Sequence, residues 1–424
     1  MQYQRTLGPI QGIAMTVTTF VGTGLMILPA MSVAQAGSFA FYAWLVTALV
    51  IIPVAFVFSL LGSRFPSAGG ASHYIGKVLG QKAERAVGWL FLSILLVGPA
   101  VAIKVATAYL AIVLDVSESS LFLLSSITLV GMLLFSIAGM KNSANFQTGV
   151  VICLIGTVLG LFILSDVSIS HLTVQQPTNW GEWESTLLAT GTIFWCFLGI
   201  EVMAHMGSEF KNPSRDFPIA LLGGIALVVL LYLATVLMIA HYQVYGDELT
   251  NSQSLALLVG ALLGEEARRW FALGAYVIAF SNVGAYILGF ARMVQSMASQ
   301  QALPSYFASL SKQGTPIRAV TFVGVMCLLS LLYIEFFSAQ MEWLIEMTNG
   351  AFLLIYLLTC ATALKSLGQK RRWLSALATI SCLIMALFVG QNMWFAGCVF
   401  ALALAWEHVK TRNPPMMEDK IHVQ

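Results

Sequence analysis

Long apolar stretches alternate with short polar connections along the chain, and this pattern predicts an all-α polytopic membrane protein. A helix needs about 20 apolar residues to cross the hydrocarbon core of a bilayer. Twelve stretches have about that length, at residues 8–35, 39–62, 86–114, 120–140, 145–165, 185–206, 217–241, 268–297, 317–337, 341–363, 373–390 and 392–408. The segment 67–85 is too polar to cross, so we expect a short helix there, on the cytoplasmic side.

Glycine interrupts the apolar run in the middle of the first and the sixth of these spans. The first span contains Gly22-Thr23-Gly24, and the sixth contains Gly199 at the end of the run Phe194-Trp195-Cys196-Phe197-Leu198-Gly199. Unwinding a helix inside a membrane exposes backbone polar groups that lipid cannot satisfy. Such a break is tolerated where it lines a cavity or binds a ligand. Two breaks therefore predict a transporter with a binding site near the midplane of the bilayer.

The chemistry of the two breaks suits a zwitterionic amino acid. A half-helix that begins near Gly24 points free N–H groups and the positive end of its dipole into the membrane, and both favour a carboxylate. Gly22 lets a ligand approach the backbone, and Thr23 adds a hydroxyl. An ammonium group would find carbonyl oxygens at Thr19, Phe20 and Val21 and at Trp195, Cys196, Phe197 and Leu198. The alternative is that Gly22 and Gly24 only form a close-packing helix face.

The expected surroundings of this site are apolar. We predict a side-chain pocket formed by Met26, Cys196, Phe197 and Pro99, which favours aliphatic or thioether substrates. Trp195 lies at the second break, where it either closes over the substrate as an aromatic lid or packs in the core.

Glu201 is the acid that we place deep in the membrane, where a carboxylate is costly and usually functional. His205 follows at i+4 and Glu209 at i+8, so an unbroken helix would carry all three on one face. Because histidine titrates near neutral pH, this face suggests a proton path or a pH-sensitive gate. The alternative is that Glu201 caps free backbone N–H groups while Glu209 pairs with a lysine or arginine.

Two further positions have open interpretations. Lys104 lies roughly 28 Å along the third span at 1.5 Å per residue, so it either reaches the outer surface or lines an outer vestibule. Ser281 and Asn282 in the eighth span could face the first span, either as part of a sodium site or as ordinary helix-packing residues.

Composition supports the membrane assignment. Hydrophobic residues make up 58% and charged residues 9% of the 424 residues, whereas a soluble domain carries roughly a quarter charged residues. The net charge of +2 is spread over short loops and gives no indication of nucleic acid binding. The six cysteines lie in apolar stretches without a CxxC pair, so we expect neither disulfides nor a metal or other cofactor.

The distribution of charge predicts orientation. With the N-terminus in the cytoplasm, lysine and arginine fall almost entirely on the cytoplasmic side, and Arg268 and Arg269 are the exceptions. We therefore expect both termini in the cytoplasm. A membrane enzyme would need a motif such as HExxH or an activated serine with a placed histidine, and the sequence contains neither, so we expect no enzymatic activity.

These motifs resemble the amino acid–polyamine–organocation superfamily of secondary transporters. Val21-Gly22-Thr23-Gly24 is similar to the first-span signature of that family, and FWCFLGIEVMAHMGSEFKNPSRDFP (194–218) is similar to its sixth span and the following loop. Arg292 and Ala302-Leu303-Pro304 continue the resemblance, which covers nearly the whole chain. The stretch 67–92 and the sixth-span stretch are similar to bacterial family members that export methionine and branched-chain amino acids.

The resemblance implies a five-plus-five inverted repeat with two extra helices. The corresponding regions are 1–165, 185–363, 373–408 and a cytoplasmic tail at 409–424. It implies substrate binding at Gly22, Thr23 and Gly24 and from Trp195 to Gly199, an aromatic gate at Trp195, and coupling through Glu201. Relatives carry a lysine in span five that stands in for a coupling cation, but residues 145–164 contain no charged residue.

The resulting expectation is a transporter of neutral apolar L-amino acids in the inner membrane of a bacterium. Coupling to protons, coupling to sodium and exchange remain open, as do a monomer and a homodimer. Export follows from the resemblance alone. An importer of the same fold and an amino-acid sensor without net transport are the alternatives.

Overall fold

The computed structural model describes residues 5–116, 120–138, 140–167, 176–337 and 341–412. These residues form α-helices joined by short turns, and the only strand-like pairing among them is an isolated bridge between Leu7 and Phe210. The helices are α1 (Pro9–Ala36), α2 (Ala40–Arg64), α3 (Gly70–Leu79), α4 (Gln81–Ile94), α5 (Gly98–Leu114), α6 (Leu121–Ile137), α7 (Met140–Leu164), α8 (Trp180–Ile193), α9 (Ile200–His205), α10 (Pro213–Tyr242), α11 (Glu248–Leu263), α12 (Glu265–Ser299), α13 (Ile317–Phe337), α14 (Met341–Ser366), α15 (Arg372–Val389) and α16 (Met393–Arg412).

The predicted all-α membrane fold is confirmed. Nine segments of the described residues are long and apolar enough to cross a membrane, and four of these, Pro9–Arg64, Gln81–Leu114, Trp180–His205 and Gln369–Val409, each contain two α-helices. Each of the twelve predicted spans coincides with a helix or a pair of helices, although the number that cross the bilayer stays a prediction. Large apolar side chains such as Ile163, Phe336 and Leu387 are more than three-quarters exposed, as expected for a surface that faces lipid.

Two features differ from the sequence prediction. The third span is not continuous, because α4 ends at Ile94 and α5 begins at Gly98. Pro99 is the physical reason, since it lacks an N–H and its ring disfavours a helical residue before it. The second difference is α11, a 16-residue helix between the seventh and eighth predicted spans, where no helix was predicted. In the sequence, Asp247 indicated the start of this helix, and its side chain accepts a hydrogen bond from the N–H of Thr250 at 2.7 Å.

The same order of elements occurs twice along the chain. A broken span is followed by an unbroken span, a short helix (α3 or α11) and three further spans, after which α15 and α16 remain. This order agrees with the predicted five-plus-five repeat, while the exact domain bounds stay a prediction. Helix α1 lies at the centre, in contact with α7, α8, α10, α11 and α12, and its residues from Ala14 to Val33 are buried. The breaks in α1 and in the sixth span are therefore surrounded by protein.

Candidate functional site

Helix α1 breaks at Gly22, which has φ −14° and ψ −114°. The side chain of Asn282 from α12 occupies the space beside this glycine. A Cβ added to Gly22 would lie 1.9 Å from Cγ of Asn282. Glycine is therefore required here because a neighbouring side chain packs directly against the backbone.

Side chains from neighbouring helices bond the carbonyl groups at the first break. Nδ2 of Asn282 donates to the carbonyl oxygens of Thr18 at 2.7 Å and Thr19 at 2.9 Å. The hydroxyl of Tyr232 on α10 donates to the carbonyl oxygen of Phe20 at 2.7 Å. Three successive carbonyls are thus satisfied without water or lipid. Of the two residues predicted to face span one, Asn282 does so, whereas the hydroxyl of Ser281 donates to Val277 in its own helix at 2.8 Å.

The sixth span breaks between α8 and α9, where Phe194–Phe197 form a 3₁₀ turn. Gly199 has φ +148°, a conformation that other residues rarely adopt. The hydroxyl of Tyr286 on α12 donates to the carbonyl oxygen of Leu198 at 2.6 Å, and that of Tyr356 on α14 donates to Phe197 at 3.4 Å. Both breaks therefore occur where glycine predicted them, and both depend on partners that are distant in the sequence.

Glu201 is buried and bonded to the second break. Its Oε2 accepts hydrogen bonds from the N–H of Gly199 at 3.0 Å and from the hydroxyl of Tyr356. Its Oε1 has no hydrogen-bond partner among the described residues. The capping role that the sequence analysis held as an alternative is thus present in the structure.

The prediction of one unbroken helix face from Glu201 to Glu209 is wrong. Helix α9 ends at His205, and Gly207–Glu209 form a separate 3₁₀ turn. Glu209 forms a buried ion pair with Arg292 of α12, and its backbone carbonyl accepts from the N–H of Leu7 at 3.0 Å. These tertiary contacts lie in the turn that follows the helix. His205 is buried, with Nδ1 lying 3.0 Å from the carbonyl oxygen of Ala68 and its ring against Phe91.

A cavity of about 50 Å³ lies between the two breaks. Six of the predicted substrate-binding residues line it, namely Thr19, Phe20, Thr23, Gly24, Trp195 and Leu198. The remaining five, Val21, Gly22, Cys196, Phe197 and Gly199, are buried behind this surface. The structure therefore brings both predicted segments to one cavity, with part of each segment supporting it from behind.

The predicted side-chain pocket is different from the observed one. Pro99 lines the cavity, as expected. Met26 accepts a hydrogen bond from Tyr109 through its carbonyl and is fully buried. Cys196 lies against Gly24 and Tyr232, and the ring of Phe197 packs on Phe20, Trp44 and Tyr232.

Most of the cavity wall comes from residues that were not predicted to line the site. These residues belong to the third, eighth, ninth and tenth spans, and they include Ile94, Leu95, Ala102, Val283, Tyr286, Ile287, Phe290, Val323, Cys327, Thr348 and Phe352. The break before Pro99 places Leu95 and Gly98 on the same surface, so a third irregular segment borders the cavity. In the sequence, Pro99 was the residue that indicated this break.

The lining is mainly apolar, with hydroxyl and amide groups at Thr19, Thr23, Asn282, Tyr286 and Thr348. Within the described part of the chain, no aspartate, glutamate, lysine, arginine or histidine belongs to this lining. Lys104 lies in α5 outside it. The same described residues contain no group of three histidine, cysteine or acidic side chains arranged to hold a metal ion. The arrangement suits a small neutral molecule with an apolar side chain.

Comparison with known proteins agrees with this geometry. A family model for amino acid permeases matches residues 7–416. The chain is 32% identical over 412 residues to the L-methionine/branched-chain amino acid exporter YjeH of Escherichia coli (strain K12), which covers 97% of this chain and 98% of that protein. It is 27% identical over 417 residues to the uncharacterized amino acid permease YecA of Bacillus subtilis (strain 168), with 97% of each chain covered.

The fold is also similar to a solved structure. The crystal structure of MhsT in complex with L-phenylalanine superposes with a TM-score of 0.63, covering 92% of this chain and 100% of that chain at 14% identity. At this identity the likeness shows a shared fold alone. The family match over nearly the whole chain and the 32% identity show that this multi-pass membrane protein belongs to the amino acid permease family of the amino acid–polyamine–organocation superfamily.

Proposed function

We propose that the protein is a secondary active transporter that exports neutral apolar L-amino acids by alternating access. The substrates that we infer are methionine, leucine, isoleucine and valine. The observation that carries this proposal is the cavity between the two broken spans, which is lined by apolar side chains with, among the described residues, no charged group. A permanently charged substrate side chain would be desolvated there without a partner.

The backbone at the two breaks would bind the zwitterionic part of the substrate. The N–H groups at the start of the second half of α1, together with the hydroxyl of Thr23, would suit the α-carboxylate. Carbonyl groups of the second break suit the ammonium, since a carbonyl oxygen that accepts one hydrogen bond retains a second lone pair. In this arrangement Val21, Gly22 and Gly199 act through the backbone, and the apolar wall from Ile94 to Phe352 contacts the substrate side chain.

Trp195 and Glu201 are the residues that we propose to rearrange during transport. Trp195 is half-buried and lines the cavity directly after the end of α8. Its ring would close over bound substrate, which excludes water from the site. Glu201 lies a few residues after Trp195 and accepts a hydrogen bond from the N–H of Gly199, and His205 follows on α9. We infer that rearrangement of Glu201 and His205 couples closure to a proton gradient or to exchange.

Direction and topology rest on similarity and on loop charge. The similarity to an exporter from Escherichia coli supports export. The positive-inside rule supports cytoplasmic termini in the inner membrane of a bacterium, and the repeated order of helices supports repeats at 1–165 and 185–363. Import by the same fold and amino-acid sensing without net transport are the competing functions.

Counterflow of labelled methionine and leucine in proteoliposomes tests the proposal. We expect unlabelled methionine or leucine, but not lysine or glutamate, to drive accumulation of label. Efflux under an imposed proton gradient distinguishes export from import. Substrate binding without flux would favour a sensor, and absence of binding would refute the substrate assignment.

Gly24→Leu is the matching site variant. A Cβ at Gly24 already lies 2.9 Å from Sγ of Cys196, so leucine would fill the first break and abolish binding. Gly156→Leu is the control, because a Cβ there meets no atom within 4 Å and the residue is exposed on α7. Retained affinity in Gly24→Leu would restore the helix-packing interpretation of the motif.

A further inference from the structure

The Asn282 amide lies where a coupling cation would be expected at the first break. The first half of α1 ends there, and the C-terminal end of a helix carries partial negative charge and free carbonyl oxygens. In transporters with broken helices, such ends coordinate sodium or bind protons. Here Nδ2 of Asn282 donates to the carbonyl oxygens of Thr18 and Thr19 at 2.7 and 2.9 Å.

The amide uses both of its N–H groups in these two bonds. An amide nitrogen carries two hydrogens and no net charge, so Asn282 supplies two donors to successive carbonyls without an ion. The side chain is 4% exposed, and its Cγ is so close to Gly22 that a Cβ on Gly22 would lie 1.9 Å from it. The space beside the break is therefore filled by this side chain.

Neighbouring groups do not complete a cation site. The hydroxyl of Ser281 donates to the carbonyl oxygen of Val277 in its own helix, so it is directed along α12 instead of toward the first break. Residues 145–164, most of helix α7 beside α1, contain no lysine or other charged residue. The carbonyl of Phe20 accepts from Tyr232. Neutral side chains thus bond every carbonyl from Thr18 to Phe20, and the Asn282 side chain fills the space from which an ion would reach their remaining lone pairs.

We propose that Asn282 is a built-in substitute for a coupling cation at the first break, which makes the protein independent of sodium. The amide holds the two halves of α1 in the arrangement that a bound ion would otherwise stabilise. Asn282 is thereby a positioning residue for the substrate site. The part of this inference that concerns flux rests on the proposed transport function, whereas the part that concerns ion binding does not.

The decisive variant is Asn282→Asp, which keeps the size of the side chain but replaces the two donors by a carboxylate. A carboxylate facing two carbonyls has only oxygen atoms to offer, which is the ligand set that a sodium ion prefers over an amide. We expect the melting temperature of purified Asn282→Asp to fall by several degrees in choline chloride and to recover in sodium chloride at the same ionic strength. The wild-type protein and Ser281→Ala should melt at the same temperature in both salts.

Wild-type counterflow provides the second measurement, which does not depend on the folding of a variant. We expect rates in sodium chloride and in choline chloride to agree within twofold. Sodium stimulation of wild-type flux, or an Asn282→Asp variant that loses stability equally in both salts, would overturn the inference. Absent wild-type flux combined with sodium-specific stabilisation of Asn282→Asp would refute the transport function and leave the cation-substitute role intact.

Discussion

The break in α1 and the break between α8 and α9 both free backbone groups inside the membrane, yet different chemistry satisfies them. Around the first break, Asn282 and Tyr232 from other helices bond three successive carbonyls. Around the second, Tyr286 and Tyr356 bond carbonyls, and the carboxylate of Glu201 bonds a backbone N–H. Among the described residues that bond the two breaks, a carboxylate is therefore present at the second break alone.

This difference suggests that the two breaks have different roles in transport. Neutral donors cannot change charge, so the first break is expected to keep its shape through the transport cycle and to provide constant binding. Protonation of Glu201 would remove an acceptor or add a donor next to Gly199, so the second break is expected to be the one that rearranges. The predictions below test that contrast.

The largest effects are expected from alanine at the two glycines. Gly22→Ala places a Cβ 1.9 Å from Asn282, and Gly199→Ala places one at φ +148° and 2.9 Å from Phe20. Each is expected to cost about 3 kcal/mol of stability, from overpacking at Gly22 and mainly from backbone strain at Gly199. Thermal unfolding and counterflow measure both losses.

A second substitution separates the two causes. Asn282→Gly removes the obstructing side chain, so it should reduce the further cost of Gly22→Ala while leaving that of Gly199→Ala unchanged. Gly207→Ala is the matched control, since its nearest neighbour lies at 3.7 Å and should permit the methyl group. Equal costs of Gly22→Ala in both backgrounds would contradict the assigned contact.

An intermediate effect is expected at Glu201. Glu201→Ala leaves the N–H of Gly199 without its acceptor and leaves the hydroxyl of Tyr356 only the long bond to the carbonyl oxygen of Phe197, which should cost about 2 kcal/mol and most of the flux. Glu201→Gln retains an acceptor oxygen, so its stability should be close to that of the wild type.

The pH profile of transport then distinguishes capping from coupling. If Glu201 takes part in coupling, Glu201→Gln and His205→Gln should each flatten the pH dependence of flux. An unchanged pH profile in His205→Gln would refute the hypothesis of a proton path. An unchanged pH profile in Glu201→Gln would show that Glu201 only caps the backbone.

The smallest effects are expected from removal of one hydroxyl at each break. Tyr232→Phe and Tyr286→Phe each delete one hydrogen bond to a carbonyl, which should cost about 1 kcal/mol. Tyr286 lines the cavity, so its variant should also raise the KM for methionine, whereas Tyr232→Phe should change stability alone. Equal changes in KM would indicate that the breaks are not functionally distinct.

Local sequence was sufficient to locate the spans and the two glycine breaks. Length and hydropathy predict a membrane helix without knowledge of its neighbours, because each helix satisfies its own backbone. Gly22 and Gly199 were recognisable because glycine in the middle of an apolar span is costly unless it has a structural purpose. Pro99 carried an equally local signal for the break in span three, but it was interpreted only as a pocket residue.

Contacts between distant residues could not be predicted in the same way. Asn282 bonds carbonyls that lie more than 260 residues earlier in the chain, and its alternatives as a sodium ligand or a packing residue were equivalent in sequence. The turn after α9 likewise places Glu209 against Arg292 and Leu7, so a helical spacing from Glu201 to Glu209 was misleading. The cavity wall combines residues from several helices for the same reason.

The sequence by itself determined that the protein is an all-α membrane protein with two broken spans and a family signature around each break. Only the tertiary structure decided which side chains satisfy those breaks, which halves of the predicted segments face the cavity, and that a neutral amide bonds the carbonyls of α1. Hydrophobicity and the positions of glycine are local properties, so they can be read from the sequence. Hydrogen bonds to the freed backbone groups form between helices, so their partners are decided only when those helices pack together.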